Sequence, residues 1–397
     1  MHTQKMTYST WFLLCFISTV LCHDEPDYNI HGTTAQGWEF LRDLFRENFV
    51  QEQELGAAIA VYHHGHLVVD LKGGWFDESR TKLYDDNSLQ LVFSTTKGLV
   101  AVAVALCVQQ GLLDYSALVT KYWPEYGQNG KENTTVADIL SHRAGLPYIS
   151  SPIEQYTNWT AMIHTLEQER PLWTPGTTHG YHSVTYGWLA SELVRRVDPR
   201  KRSFGQFIKD EIASPLQIEF YIGLPSNIQY RVSPVVSHPN VKNMLNETMK
   251  ELFQIWNDPL IHQAEIPAAI GLSNARSIAR LYASLIGHLD DGFEHRLLSE
   301  EIMKRATKSN TPLNEIDLVL QYYSSFGMGF HRYDRFLPEF GLGVFGHHGA
   351  GGSIGFAAPS KNFSFAYVLN QIGTDSATII DPRIQSIVTQ IAAKLNH

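Results

Sequence analysis

The chain has 397 residues, with 44% hydrophobic and 18% charged residues, the proportions of an ordinary globular protein and not of a disordered or fibrous one. Its formal net charge of -9 argues against nucleic acid or an anionic membrane surface as a partner. Only Cys15, Cys22 and Cys107 are present, so no disulfide framework is expected, and the length allows a core without one.

Residues Met1 to Thr10 carry Lys5 and no acid, Trp11 to Cys22 is mostly apolar, and His23-Asp24-Glu25-Pro26 comes abruptly after it. This reads as a secretory signal peptide over 1–22, with Val20 and Cys22 small enough for the cleavage positions, and as too short to span a bilayer. The mature chain, 23–397, is then expected in the secretory lumen or outside the cell, with no stable membrane span after cleavage. Cys107 is left without a partner in its chain and reads as a small core residue. Four sequons, at Asn133, Asn158, Asn246 and Asn362, are candidate glycosylation sites jointly with that signal.

Gly37 to Phe49 places Leu41, Leu44, Phe45 and Phe49 at helical spacing. Ala57 to Tyr62 and Leu67 to Leu71 read as strands joined through His63-His64-Gly65-His66. Those histidines lack a Cys or acidic ligand at zinc spacing, so no metal and no cofactor is expected. Leu91-Val92-Phe93-Ser94-Thr95-Thr96-Lys97 then leads into Gly98 to Cys107, which holds no charge. Such a run predicts a helix buried all round, closed by Gly111 in the left-handed conformation. Ser94 therefore stands at the helix N-terminus with Lys97 one turn on, on the same face. Burial and the positive helix end both disfavour a charged lysine. A neutral amine beside a hydroxyl can take its proton and leave a nucleophile. A Ser-x-x-Lys spacing arises by chance in most long chains, so the rest of the sequence must support it.

Thr135 to Arg143 predicts a short helix ended by Gly145 and Pro147, with His142 and Arg143 expected in capping or ion-pair roles. Tyr181-His182-Ser183 opens a helix, Val184 to Val197, and the basic residues Arg195, Arg196, Arg200, Lys201 and Arg202 read as a solvated helix end. Asn227 to Glu265 reads as irregular, either a lid or a surface excursion. Asn274 to Ile286 is an amphipathic helix. Phe326 to Phe330, Gly343 to His348, Ser353 to Ala358 and Phe363 to Leu369 read as strands, and Asp381 to Leu395 as a closing helix. Strands at both ends with helices between predict an α+β fold. An antiparallel sheet is built from both chain ends, about 35–92 and 266–397, and is flanked by helices. A helical insert lobe spans about 93–265.

Three motifs stand in order: Ser94-Thr95-Thr96-Lys97, Tyr181-His182-Ser183, and His347-His348-Gly349 within Phe345 to Gly352. Together with Leu140-Ser141-His142-Arg143-Ala144-Gly145-Leu146 and Tyr186-Gly187-Trp188-Leu189, the sequence resembles the serine beta-lactamase and penicillin-binding-protein superfamily in its class C-like branch. It is most similar to eukaryotic beta-lactamase domain-containing proteins and bacterial family VIII carboxylesterases. The resemblance covers about 35 to 395 and implies a beta-lactamase/transpeptidase-like fold. It also implies an acyl-enzyme on Ser94, with Lys97 or Tyr181 accepting the serine proton and the order of transfer left open. An oxyanion hole of the Ser94 and Ala350 backbone N–H groups is implied, with His347, Ser183 and Gly349 at the substrate. His347 would polarise the tyrosine or receive a substrate carboxylate. The second motif ends in Ser183 where the family's beta-lactamases have Asn, and the third opens with a histidine, uncharged for much of the time near pH 7.

Both departures weaken antibiotic hydrolysis and are compatible with a carboxylesterase on small acyl esters, or with an amidase, a peptidase or a weak beta-lactamase on the same scaffold. A non-catalytic binding protein that kept the fold is the alternative outside enzymes. The partner expected is a small ester or amide; oligomeric state is not legible. Gly351-Gly352-Ser353-Ile354-Gly355 also fits a Gly-x-Ser-x-Gly elbow, but that motif needs a helix after the serine and a later histidine. The run after Ser353 is strand-like, and His397 is the only later histidine.

Overall fold

In Gly56–His63 apolar side chains divide by parity: Ala57, Ile59 and Val61 enter one core, and Ala58, Ala60 and Tyr62 another. A strand covered on both faces must do this, because successive side chains point to opposite sides. The computed structural model describes residues 28–51, 53–242, 245–290, 296–373 and 379–396; the expected signal peptide, 1–22, lies outside them. Seven strands form the main sheet: β1 (His31–Thr34), β2 (Gly56–His63), β3 (His66–Gly74), β4 (His331–Arg332), β5 (Phe345–His348), β6 (Ile354–Ala358) and β7 (Phe363–Leu369). Their order is β1-β3-β2-β7-β6-β5-β4, antiparallel throughout. The two ends of the chain meet where β2 pairs with β7, Ile59 opposite Tyr367.

Five helices set the layers: α1 (Phe40–Val50), α2 (Thr96–Gln109), α3 (Thr185–Val197), α4 (Ala275–Ile286) and α5 (Pro382–Leu395). Leu41, Phe45 and Phe49 of α1 and Ile384, Ile387 and Ile391 of α5 cover one face. Phe45 meets the Tyr367 ring edge-on at 5.9 Å. On the other face α4, capped by the Asn274 side chain, packs Ile278, Ala279 and Tyr282 against the sheet. The helical insert lies beyond it, and α2 runs through its centre with every residue from Thr96 to Val108 buried. Burial raises the Cys107 thiol to about 12, which fits an inert core residue. Among the described residues no helix is long and apolar enough to cross a membrane.

Three expectations change. Asn227 to Glu265 is not irregular: it holds Glu247–Trp256, a helix capped by Asn246, and a short turn of helix, Pro259–Gln263, opening on its proline. The prolines flank these helices and leave their interiors intact. Phe326 to Phe330 is a turn, because Gly329 takes φ 90° and the strand starts at His331. The basic cluster after α3 is neutralised: Arg202 pairs with Asp198, Asp210 and Glu211, and Arg196 with Glu192 and Glu125.

Phe45 is fully buried between α1 and β7, so Phe45→Ala should destabilise the protein by about 3–5 kcal/mol. Urea unfolding measures the loss. Reactivity of Ser94, on the far side of the sheet, should persist well below the new midpoint.

Candidate active site

The strand Leu89–Leu91 ends in one 3₁₀ turn, Phe93–Thr95, and α2 begins at Thr96. Phe93 takes φ 46°, a costly conformation for a bulky residue that persists only where the surroundings fix it. They do so here. Val92 N–H donates to Gly271 O at 3.0 Å, and Gly271 N–H donates to Thr96 Oγ1 at 3.0 Å. Trp256 packs edge-on against the Phe93 ring at 5.0 Å. Between Leu91 and Val100 every residue except Ser94 is buried, so the turn presents one hydroxyl to the cleft.

Lys97 is fully buried. Its Nζ lies 2.9 Å from Ser94 Oγ, 2.7 Å from Ser183 O and 2.8 Å from Ala268 O. Burial drives its pKa well below the usual 10.5, as expected for an amine without a compensating charge. In the neutral amine two hydrogens satisfy the two carbonyls, and the lone pair faces Ser94 Oγ.

Tyr181 stands over this pair, its ring centroid 5.0 Å from Lys97 Nζ. Burial raises the phenol, and a hydrogen bond with Ser94 works the other way. The hydroxyl therefore stays protonated near neutral pH and can relay a proton without becoming a free phenolate. Ser183 takes part through its main chain; its side chain is exposed.

His347, in the middle of β5, is 1% exposed and its ring lies 6.1 Å from that of Tyr181. Burial pushes its pKa well below 6.5. Nδ1–H donates to His348 O at 2.8 Å, and Nε2 has no hydrogen-bond partner among the described residues. A neutral ring with an open Nε2 can polarise a tyrosine, and a carboxylate brought beside it would favour its protonated form. Gly349 comes next, at the closest approach to the nucleophile turn: a Cβ there would fall 2.3 Å from Val92 O. Ala350, after it in the chain, is exposed.

Residues some 250 positions apart in sequence thus share one cleft between β5 and the helical insert. Ser353 is buried at the start of β6, where its carbonyl accepts from Thr95 Oγ1 at 3.0 Å. The element after it is a strand, so the elbow reading fails.

Two histidines have other roles than their residue types imply. His142 is neither a cap nor an ion-pair partner. It is buried, and its Nδ1 accepts the His182 N–H at 3.0 Å. His182 donates from Nδ1 to Gly180 O at 2.6 Å and accepts from Leu146 N–H at Nε2, 2.9 Å. These bonds hold the loop that carries Tyr181. Arg143 is an ion-pair residue as expected, 2.8 Å from Glu315. Sequence patterns gave no sign of Ala268, whose contribution is a main-chain carbonyl; Trp256 belongs to the segment read as a lid or surface excursion, and its contribution is the ring packed against Phe93.

An antiparallel sheet, a helical insert and a serine joined to a buried lysine at the mouth between them define a serine hydrolase of the beta-lactamase/transpeptidase fold. The beta-lactamase family model matches residues 41–389, and the chain belongs to that family. The chain is 31% identical to an esterase/beta-lactamase LipL of Mycobacterium tuberculosis, over 94% of its own length and 92% of the relative's. Among solved structures, a family VIII carboxylesterase superposes with TM-score 0.83 at 32% identity, covering 92% of this chain and 99% of that one. A penicillin-binding-protein homologue from Caulobacter crescentus gives 0.79 at 35% identity, covering 93% and 100%.

Burial depresses five histidines around the cleft: His182 and His348 to about 4, and His142, His331 and His347 well below 6.5. The unfolded chain binds protons at these residues before the folded one does, so stability is lost as the pH is lowered. Glu54, raised to about 7, acts in the opposite direction, one group against five. The unfolding midpoint in urea should therefore drop as the pH goes from about 6.5 to about 4. An unchanged midpoint across that window would mean the histidines are solvated.

Proposed function

We propose that the protein is a secreted, metal-independent serine esterase. Ser94 attacks the carbonyl carbon of a small acyl ester, the alcohol leaves, and water hydrolyses the acyl-enzyme. The observation that carries this is the environment of Lys97 Nζ, with two main-chain carbonyls and Ser94 Oγ as its hydrogen-bond partners. That shell accepts two hydrogens from a neutral amine and leaves its lone pair for the serine proton. Tyr181, bonded to Ser94, carries the proton onward to the leaving oxygen. A group in that position is worth on the order of 10²–10⁴-fold in rate.

The oxyanion would sit between the N–H groups of Ser94 and Ala350. Gly349 supports this, since its lack of a side chain lets the end of β5 approach the nucleophile turn. Preference for esters over beta-lactams rests on Ser183, whose exposed hydroxyl replaces the amide the resemblance calls for. The family VIII carboxylesterase neighbour supports the same choice.

The secretory route rests on residues 1–22. Glycan attachment at Asn133, Asn158 and Asn246 fits their exposure. Asn158 and Asn246 cap helices through Oδ1, which leaves Nδ2 for a glycan. Asn362 is half-buried with Nδ2 3.3 Å from His64, and is the poorest of the four acceptors.

Ser94→Ala should abolish p-nitrophenyl butyrate turnover, by roughly 10⁴-fold or more, together with fluorophosphonate labelling, while the fold is kept. Ser353→Ala should retain turnover, with at most a change in KM. A well-folded Ser353 variant that is dead beside a live Ser94 variant would overturn the assignment. Gly349→Ala should cost about 10²-fold in kcat/KM, the loss a displacement of about 1 Å can produce. Its Cβ would press on Val92 O and push β5 away from Ser94.

A further inference from the structure

Tyr181 lies outside any helix or strand, four residues before α3 begins. Its N–H therefore has no ladder partner, and a buried backbone donor must find one elsewhere. It donates to Asp317 Oδ1 at 3.0 Å. Asp317 belongs to a distant loop and is fully buried. The same Oδ1 accepts from Val319 N–H and Leu320 N–H, each at 2.9 Å, and Oδ2 accepts from Ser324 Oγ–H at 2.9 Å. Four donors converge on one carboxylate, the arrangement that makes a buried charge tolerable.

We propose that Asp317 is a positioning residue for Tyr181, anchored by a chain of hydrogen bonds that ends at Arg143. His179 is fully buried two residues before Tyr181; its Nε2 lies 3.0 Å from Ser324 Oγ and its Nδ1 is bonded to the Glu315 carboxylate. Glu315 accepts from Arg143 Nη1 at 2.8 Å, and Arg143 Nη2 donates to Gly176 O at 2.5 Å. Two acids two residues apart, Glu315 and Asp317, thus grip both ends of the segment 179–181. Leu318 N–H closes the grip on His179 O at 3.1 Å. Gly180 fills the space between: a Cβ there would fall 2.8 Å from the Trp173 ring and 3.1 Å from Val319. A close-packed segment fixed at both ends has little room to shift, so the phenol is held over Ser94 and Lys97. This role rests on the assignment of Tyr181 to proton transfer.

The experiment is a double-mutant cycle, with kcat and KM for p-nitrophenyl butyrate and folding followed by circular dichroism. Asp317→Ala should lower kcat by about 10–10²-fold, the loss expected from a misplaced proton carrier, with KM within about threefold. Asp317→Asn keeps an oxygen for the three amides and should recover kcat to within about threefold of the parent. In Tyr181→Phe, Asp317→Ala should add nothing, since there is no hydroxyl left to position. Where Asp317→Ala does not fold, Ser324→Ala carries the test. It removes one hydrogen bond and no charge, and should cost about threefold to tenfold in kcat, again silent in Tyr181→Phe. A folded Asp317→Ala variant with parental kcat, or a loss that appears in full on top of Tyr181→Phe, overturns the positioning role alone. Parental kcat in Tyr181→Phe itself overturns the assignment of Tyr181.

Discussion

One buried amine constrains the rest of the site. Lys97 is taken out of water at the start of a helix with no solvent on any side, and desolvation alone favours its neutral form. A neutral amine still needs acceptors for its hydrogens, and main-chain carbonyls provide them without restoring the charge. Ser183 O comes from the approach to α3 and Ala268 O from the approach to the strand Gly271–Ser273. The helical insert and the segment leading back to the sheet must both be in place before the lysine is poised. The strained Phe93, pinned through Gly271 and Thr96, then aims the hydroxyl at it. An acid beside Nζ would raise its pKa and remove the base, so an ion pair is the one contact this lysine has to avoid.

The polar groups around the cleft are arranged in layers. Next to Ser94 stand groups held neutral by burial: Lys97, Tyr181 and His347. Behind them His142 and His182 have their tautomers fixed by backbone partners, Nδ1 of the first accepting and Nδ1 of the second donating. Full charges appear further out, in Arg143, Glu315 and Asp317. Charge-assisted bonds are the strong ones, and here they tie loops together at a distance from the reacting atoms. Keeping them outside preserves the geometry and leaves the pKa of Lys97 to desolvation.

The parts of the molecule legible in the sequence are those where periodicity and local chemistry agree. The long uncharged run from Gly98 to Cys107 reads as a buried helix, and the short apolar run Ala57 to Tyr62 reads as a strand because a turn at His63 to His66 and a second short run come after it. With the helix start fixed, spacing placed Lys97 beside Ser94, and the motifs downstream gave that pairing its catalytic meaning. Tyr181 and His347 needed the family resemblance, because nothing local in a loop or a glycine-rich strand reports what it meets across the fold. Asp317 was invisible for a related reason: an acid in a loop carries no periodicity, and its four donors are mainly backbone amides. The helix Glu247–Trp256 was missed because prolines on either side looked like breaks, when they stand outside its ends. His142 was misjudged by residue type, since its position at a helix end concealed that the chain folds back over it.

The layering has a consequence for what the site can stabilise. When Ser94 adds to a carbonyl, its proton passes to Lys97 or Tyr181 and negative charge gathers on the carbonyl oxygen. In water such a charge is spread over solvent, whereas in a dry cleft fixed dipoles do far more per bond. The side chains nearest Ser94 are uncharged at the start of the reaction, so no cation competes for the oxyanion and no anion repels it. In the proposed mechanism the donors are backbone N–H groups at the start of α2 and just past the end of β5, and the positive end of a long buried helix adds to the first of them. A carboxylate or ammonium on the acyl group would be stripped of water and find no opposite charge beside Ser94, which costs several kcal/mol. An uncharged acyl group meets no such cost beside these groups.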